Sequence, residues 1–154
     1  INTVYVTTEL NQGGNVTSGN NAVWVIDGAQ RAVVTNFAVG DGPSSVAVDP
    51  DTHTVYVTNR NDFTVSVIDG SKYSVTATVP FKSAPDSVAV DPTTHAAYVA
   101  NMDNTVSVID GATRTVTATV PVGKNPSGVA VDPGTHTVYV TNRDDGTVSV
   151  IERR

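Results

Sequence analysis

An all-β fold built from stacked, repeated sheets is what this sequence predicts, and three observations carry it. The text PDSVAVDPTTHAAYVANMDNTVSVI, from Pro85 to Ile109, recurs upstream from Pro43 to Ile68 and downstream from Pro126 to Ile151, so that the equivalent His53, His95 and His136 stand 42 and 41 residues apart. Val and Thr together supply about a third of the chain while leucine occurs once, at Leu10, a composition that starves helices and favours strands. Turn residues recur at the same offsets in every copy: Asp49-Pro50, Asp91-Pro92 and Asp132-Pro133, then Asp69-Gly70 and Asp110-Gly111. A period of about 40 residues with several short strands per unit is the signature of a β-propeller blade or a related stacked array.

Taken in order, 1–8 alternates with the strand period and matches the second strand of the repeat. Residues 9–21, polar and glycine-rich, read as an inserted surface loop; its Asn15-Val16-Thr17 fits a glycosylation sequon, a triplet that chance also produces. Ala22 to Asp27 is the third strand, closed by Asp27-Gly28 with glycine expected at positive φ, and Arg31 to Val39 is the fourth. The next unit supplies Ser45 to Asp49, Thr54 to Thr58, Thr64 to Asp69 and Ser74 to Val79. The third supplies Ser87 to Asp91, Ala96 to Ala100, Thr105 to Asp110 and Thr115 to Val122, and the last Gly128 to Asp132, Thr137 to Thr141 and Thr147 to Ile151. Pro43, Pro85 and Pro126 mark the connections between blades, and Ala47, Ala89 and Ala130 put the smallest side chain where inner strands crowd the axis. The fold class is therefore an all-β propeller of about three and a half four-stranded blades: a partial blade 1–39, blades 43–80 and 85–122, and a partial blade 126–151, in one domain over 1–154.

The Val-rich strands suit sheets covered on both faces, and an open arc would leave the terminal faces wet. The sequence thus predicts either a homodimer closing a ring or an arc belonging to a larger propeller. Two chains bring enough strands for seven four-stranded blades, yet simple end-to-end joining gives eight, four of them three-stranded, so a seven-bladed ring requires strands to change place. The chain, beginning at isoleucine, reads as a mature form or an excised piece of something longer.

The absence of cysteine removes disulfides, thiolate metal sites and cysteine nucleophiles. A net charge of −6, with nine Lys and Arg, disfavours nucleic acid as a partner. No apolar run is long enough to predict a membrane span. The histidines lie in equivalent turns of successive blades, where the fold spaces them apart, so they read as turn residues bonding local backbone rather than as a metal triad. The Asx clusters Asn59, Asn61 and Asp62, then Asn101, Asp103 and Asn104, then Asn142, Asp144 and Asp145, read as turns, although oxygen-rich loops also suit calcium. No catalytic motif, metal site or cofactor is predicted. The candidate binding face is built from the loops between second and third strands and from the interblade connections. It carries Arg60, Phe63, Lys82, Met102, Asp103, Lys124, Arg143 and Asp144, side chains that vary between units while the strands repeat. Trp24, standing where other copies have Ser66, Ser107 and Ser149, either covers local apolar surface or is an oligomer contact.

Tyr56-Val57-Thr58-Asn59 and Tyr139-Val140-Thr141-Asn142, with VAVDP before and TVSVI after, resemble the YVTN-family β-propeller repeats of surface-layer, secreted and periplasmic proteins. Tyr98-Val99-Ala100-Asn101, Tyr5-Val6-Thr7-Thr8 and the terminal Ile151-Glu152 depart from that pattern. The resemblance implies a non-enzymatic scaffold binding protein or small ligand outside the cytoplasm. The alternative is a metal-dependent propeller lyase or lactonase.

Overall fold

A computed structural model describes residues 3–9 and 21–152; the sequon at Asn15 lies outside the described residues. Among the described residues, fourteen strands form four antiparallel sheets. The first holds β1 (Thr3–Thr8), β2 (Ala22–Asp27) and β3 (Ala32–Ala38). The second holds β4 (Pro43–Asp49), β5 (Thr54–Asn59), β6 (Thr64–Asp69) and β7 (Ser74–Pro80). The third holds β8 (Pro85–Asp91), β9 (Ala96–Asn101), β10 (Thr105–Asp110) and β11 (Thr115–Pro121), and the fourth β12 (Pro126–Asp132), β13 (Thr137–Asn142) and β14 (Thr147–Ile151). Each sheet is a meander in chain order, and β4, β8 and β12 lie side by side as the inner strands of successive blades. No helix among the described residues is long and apolar enough to cross a membrane.

The prolines expected in the connections are instead the first residues of β4, β8 and β12. A register shift after each lets it pair with the closing Asn of the second strand, a position where a missing N–H is tolerated. A second expectation fails at the turns after β2, β6 and β10. There the left-handed residues are Arg31, Tyr73 and Arg114, not Gly28, Gly70 and Gly111. Gly70 is required by space: a Cβ would sit 2.7 Å from both the His53 carbonyl and the hydroxyl of Tyr5 from the preceding blade.

The core lies between blades. Val55, Val57 and Ile68 pack on Val23 and Tyr5 of the first sheet, and Tyr56, Val65, Val67 and Val79 pack on Val88, Ala97, Val99 and Ile109 of the third. Val106 and Tyr98 repeat the contact against Val138, Val140 and Ile151. Among the described residues, the two end faces lack such cover. Val4 and Val6 are 47% and 40% exposed, where Val55 and Val57 are at 0%; Val148 and Val150 are 56% and 54% exposed, where Val65 and Val67 are at 0%.

Candidate functional site

At one end of the strands, backbone hydrogen bonds fasten the loops between second and third strands of the last three blades to neighbouring connections. Arg60 N donates to Gly42 O at 2.8 Å, Met102 N to Ala84 O at 3.0 Å and Arg143 N to Asn125 O at 3.0 Å, while Phe81 N donates to Phe63 O at 2.8 Å. The Asx side chains differ from expectation. Three of the nine accept connection amides rather than closing their own turns: Asp62 Oδ2 from Asp41 N at 2.7 Å, Asn104 Oδ1 from Asn125 N at 3.0 Å and Asp145 Oδ2 from Lys124 N at 2.7 Å. Connection amides have no ladder partner, so the nearest carboxylate or carboxamide satisfies them. The result is a braced platform.

On this platform the expected site residues fall into separate groups. Arg60 forms an ion pair with Asp86 of the next blade at 3.1 Å and reaches Met102 Sδ at 3.7 Å, which brings two of the eight together and commits the guanidinium to a blade-to-blade tie. Lys82 and Asp103 line a cleft of about 400 Å³ with Phe81, Asn101, Thr105 and Ser107. Asp103 Oδ1 accepts the Thr105 hydroxyl at 2.6 Å, and Asp144 Oδ1 accepts Asn125 Nδ2 at 3.0 Å. Among the described residues, Lys124 and Arg143 make no ion pair. Phe63 and Met102 stand 48% and 45% exposed, and Phe63 occupies a left-handed conformation, φ 55°, where the equivalent residues are Asn104 and Gly146.

Beneath the loops, Asn59, Asn101 and Asn142 are buried and repeat one arrangement: Nδ2 donates to the hydroxyls of Thr64 and Ser66, of Thr105 and Ser107, and of Thr147 and Ser149, at 2.8–3.1 Å. The first blade breaks it. Thr8 takes the Asn position and Trp24 the Ser position, with Trp24 Nε1 donating to Thr8 Oγ1 at 3.2 Å. Trp24 pairs across β1 with Val6 and shares its open end face.

The opposite ends of the strands hold the feature that sequence reasoning missed. His95 Nδ1 lies 2.8 Å from Asp49 Oδ2 of the preceding blade, and His136 Nδ1 lies 2.8 Å from Asp91 Oδ2. Both Asp side chains are fully buried. The other oxygen of each closes its own turn, Asp49 Oδ1 accepting Asp51 N and Thr52 N, and Asp91 Oδ1 accepting Thr93 N. Burial opposes ionisation of these carboxyls, but the hydrogen bonds from histidine and from the turn outweigh it, so both titrate below the ordinary carboxylate range. The expectation that the histidine side chains bond local backbone is thereby corrected: the left-handed turn, φ 56° at His95 and 58° at His136, accompanies an imidazole engaged across the interface. Asp-Pro and His repeating together was the signal available. Tyr56 belongs to the same interface, its hydroxyl buried with no hydrogen-bond partner among the described residues and its pKa pushed up to about 12 by burial and by nearby Asp49.

Among the described residues, no group of three or more His, Asp and Glu side chains is placed to hold a metal ion. The histidines do not converge, because each sits in its own blade.

Among proteins of curated function, none is significantly similar in sequence. Among solved structures, hydrazine synthase of Kuenenia stuttgartiensis superposes with a TM-score of 0.71 at 23% identity, over 88% of this chain and 45% of that one. The dihydro-heme d1 dehydrogenase NirN, solved in complex with DHE, superposes with a TM-score of 0.76 at 20% identity, over 97% of this chain and 32% of that one. The chain thus spans less than half the length of either, and at these identities the likeness is one of fold. The family profile described as "Lactonase, 7-bladed beta-propeller" matches residues 2–154. Taken with four meander sheets, three of them set side by side through their inner strands, that match over nearly the whole chain makes it a member of the lactonase family of seven-bladed β-propellers.

Proposed function

We propose that this chain is a non-enzymatic interaction scaffold of the YVTN-repeat kind, working outside the cytoplasm as an arc of propeller blades whose end faces are covered by further blades. One observation carries the reading: Val65 and Val67 are at 0% exposure inside the arc, whereas the identically placed Val148 and Val150 are at 56% and 54%. Contiguous apolar faces of this kind are the usual mark of an interface. The covering blades come from a second copy, closing a ring, and Trp24 with Val6 contributes to the junction. The braced loop face, with Phe63, Met102, Lys82, Asp103, Lys124, Arg143 and Asp144 presented to solvent, is the surface offered to a protein or small ligand. Light scattering after size exclusion tests the assembly: a mass above the 16.0 kDa of one chain is expected, and a concentration-independent monomer with a cooperative melt overturns it. Trp24→Ser is expected to lower that mass.

The family's description favours a second reading, a metal-dependent lactonase-like enzyme. Thermal melts with divalent cations at micromolar concentration, alongside a lactone-hydrolysis assay, separate the two. Metal stabilisation abolished by Asp144→Ala, with turnover, moves the assignment to the enzyme.

A further inference from the structure

One cleft on the loop face collects departures of this chain from its own repeat, and we infer that it binds a small zwitterion of the amino-acid class. Lys82, the Ser83 amide and Ser107 hold the carboxylate, and Asp103 holds the ammonium. This deepens the reading of the loop face as a binding surface and rests on it.

The cleft, about 400 Å³, lies between the two four-stranded blades and falls in the size range of small-molecule sites. Three positions of its connecting segment break the repeat. Phe81 stands where the other connections have Val39 and Val122, Lys82 where they have Gly40 and Gly123, and Ser83 where they have Asp41 and Lys124. At both glycines the backbone lies so close to the buried Asn that a Cβ would stand 2.7 Å from the carboxamide carbon of Asn59 and 2.5 Å from that of Asn142. Lys82 carries a Cβ, so its backbone must stand farther from Asn101. The loop opposite, 102–104, is one residue shorter than 60–63 and 143–146, and its carboxylate is used differently. Asp62 Oδ2 and Asp145 Oδ2 accept the connection amides of Asp41 and Lys124, whereas Asp103 accepts the Thr105 hydroxyl through Oδ1. The Ser83 amide is left with no partner among the described residues. Ser107, buried in the cleft wall, accepts from Asn101 Nδ2 at 2.8 Å and donates to no described group, so its proton is available.

Lys82 and Asp103 line this cleft together and form no ion pair with each other. Opposite charges held apart in one cleft, with an unsatisfied N–H next to the cation in the chain, match a ligand that carries a carboxylate and an ammonium on a short link. A simple anion would meet Asp103, and a simple cation would meet Lys82, so the zwitterion is favoured over either. Phe81 and Val116 give its side chain an apolar wall. The corresponding cleft between the first and second blades has Gly40 in place of the lysine and a carboxylate already spent on Asp41, which makes it an internal control.

The probe is free L-phenylalanine, titrated into the isotope-labelled full chain and followed by NMR. The Ser83 amide signal is expected to move and to saturate in the millimolar range, while the Asp41 and Lys124 amides, which already have carboxylate partners, stay in place. N-acetyl-L-phenylalanine, which lacks the ammonium, and L-phenylalanine amide, which lacks the carboxylate, are each expected to bind about tenfold more weakly. Lys82→Gln and Asp103→Asn are each expected to weaken L-phenylalanine about tenfold, and Asp103→Asn keeps an acceptor for Thr105. The N-acetyl compound is expected to bind Asp103→Asn no worse than it binds the native chain, because the contact it lacks is the one removed. An unmoved Ser83 signal, equal binding of all three compounds, or binding untouched by both variants overturns the inference. A chain heavier than 16.0 kDa in light scattering that ignores the amino acid loses this inference and keeps the scaffold. A strict monomer that binds it through Lys82 and Asp103 keeps this inference and loses the ring-closing dimer.

Discussion

The second and fourth blades contain the same pentapeptide, Thr-Val-Ser-Val-Ile, at 64–68 and 147–151, and the structure treats the two copies oppositely. In β6 the run is buried from Val65 to Ile68; in β14 Val148 and Val150 face solvent and only Ser149 and Ile151 are half-covered. The contrast extends to charge. Asp49 is fully buried against His95, while its counterpart Asp132 is exposed and held only by its own turn. Stability in this molecule therefore resides in the contact between blades, and a blade's sequence says little about its contribution until its neighbour is known.

The comparison is broken most severely by removing buried methyl groups. Val67→Ala is expected to cost about 2–3 kcal/mol in urea denaturation followed by circular dichroism, and Val150→Ala less than about 0.5 kcal/mol. Equal costs would mean that the fourth blade's outer face is covered in solution. Next in size is the latch. Asp49→Ala strands the His95 imidazole and two turn amides and is expected to cost about 2 kcal/mol, more than Asp132→Ala, where only turn bonds are lost.

The same latch sets a pH dependence whose sign is fixed. Asp49 and Asp91 titrate lower in the folded chain than a free aspartate, whose pKa is about 3.9. Their contribution is therefore complete above that value and is lost as pH falls through their depressed folded pKa values. Melting temperature is expected to drop steeply at acid pH, and the drop to shrink in Asp49→Asn; an unchanged profile would remove the latch from the account. The smallest effect belongs to the loop face. Phe63→Asn replaces an exposed aromatic at a left-handed position by the residue found at Asn104, and is expected to stabilise the chain by up to about 1 kcal/mol. Destabilisation would show that Phe63 packs in solution.

Much of this architecture was legible in the chain's own text. The recurrence of Asp-Pro, His, Asp-Gly and Val-rich alternation specified fourteen strands in groups of three, four, four and three, because period-two burial and turn chemistry are local properties. The loop face was legible as a place but not as an arrangement: nothing local says that Arg60 is spent on Asp86 of the next blade while Arg143 makes no ion pair among the described residues. Glycine's role at Gly70 was misread for the same reason, since the demand comes from Tyr5, 65 residues away in the chain.

The sequence by itself determined the repeat, the strand type and the positions of the turns, all of which depend on residues within a few places of one another. Tertiary structure alone decided which copies of an identical run are dry, which aspartates are buried and which histidine has a carboxylate. Asp49 and His95 lie 46 residues apart and Asp91 and His136 lie 45 apart, so each pair exists only when two sheets stack. His95 and His136 each face a carboxylate of the blade before, because burial and pairing are properties of the interface and not of the strand.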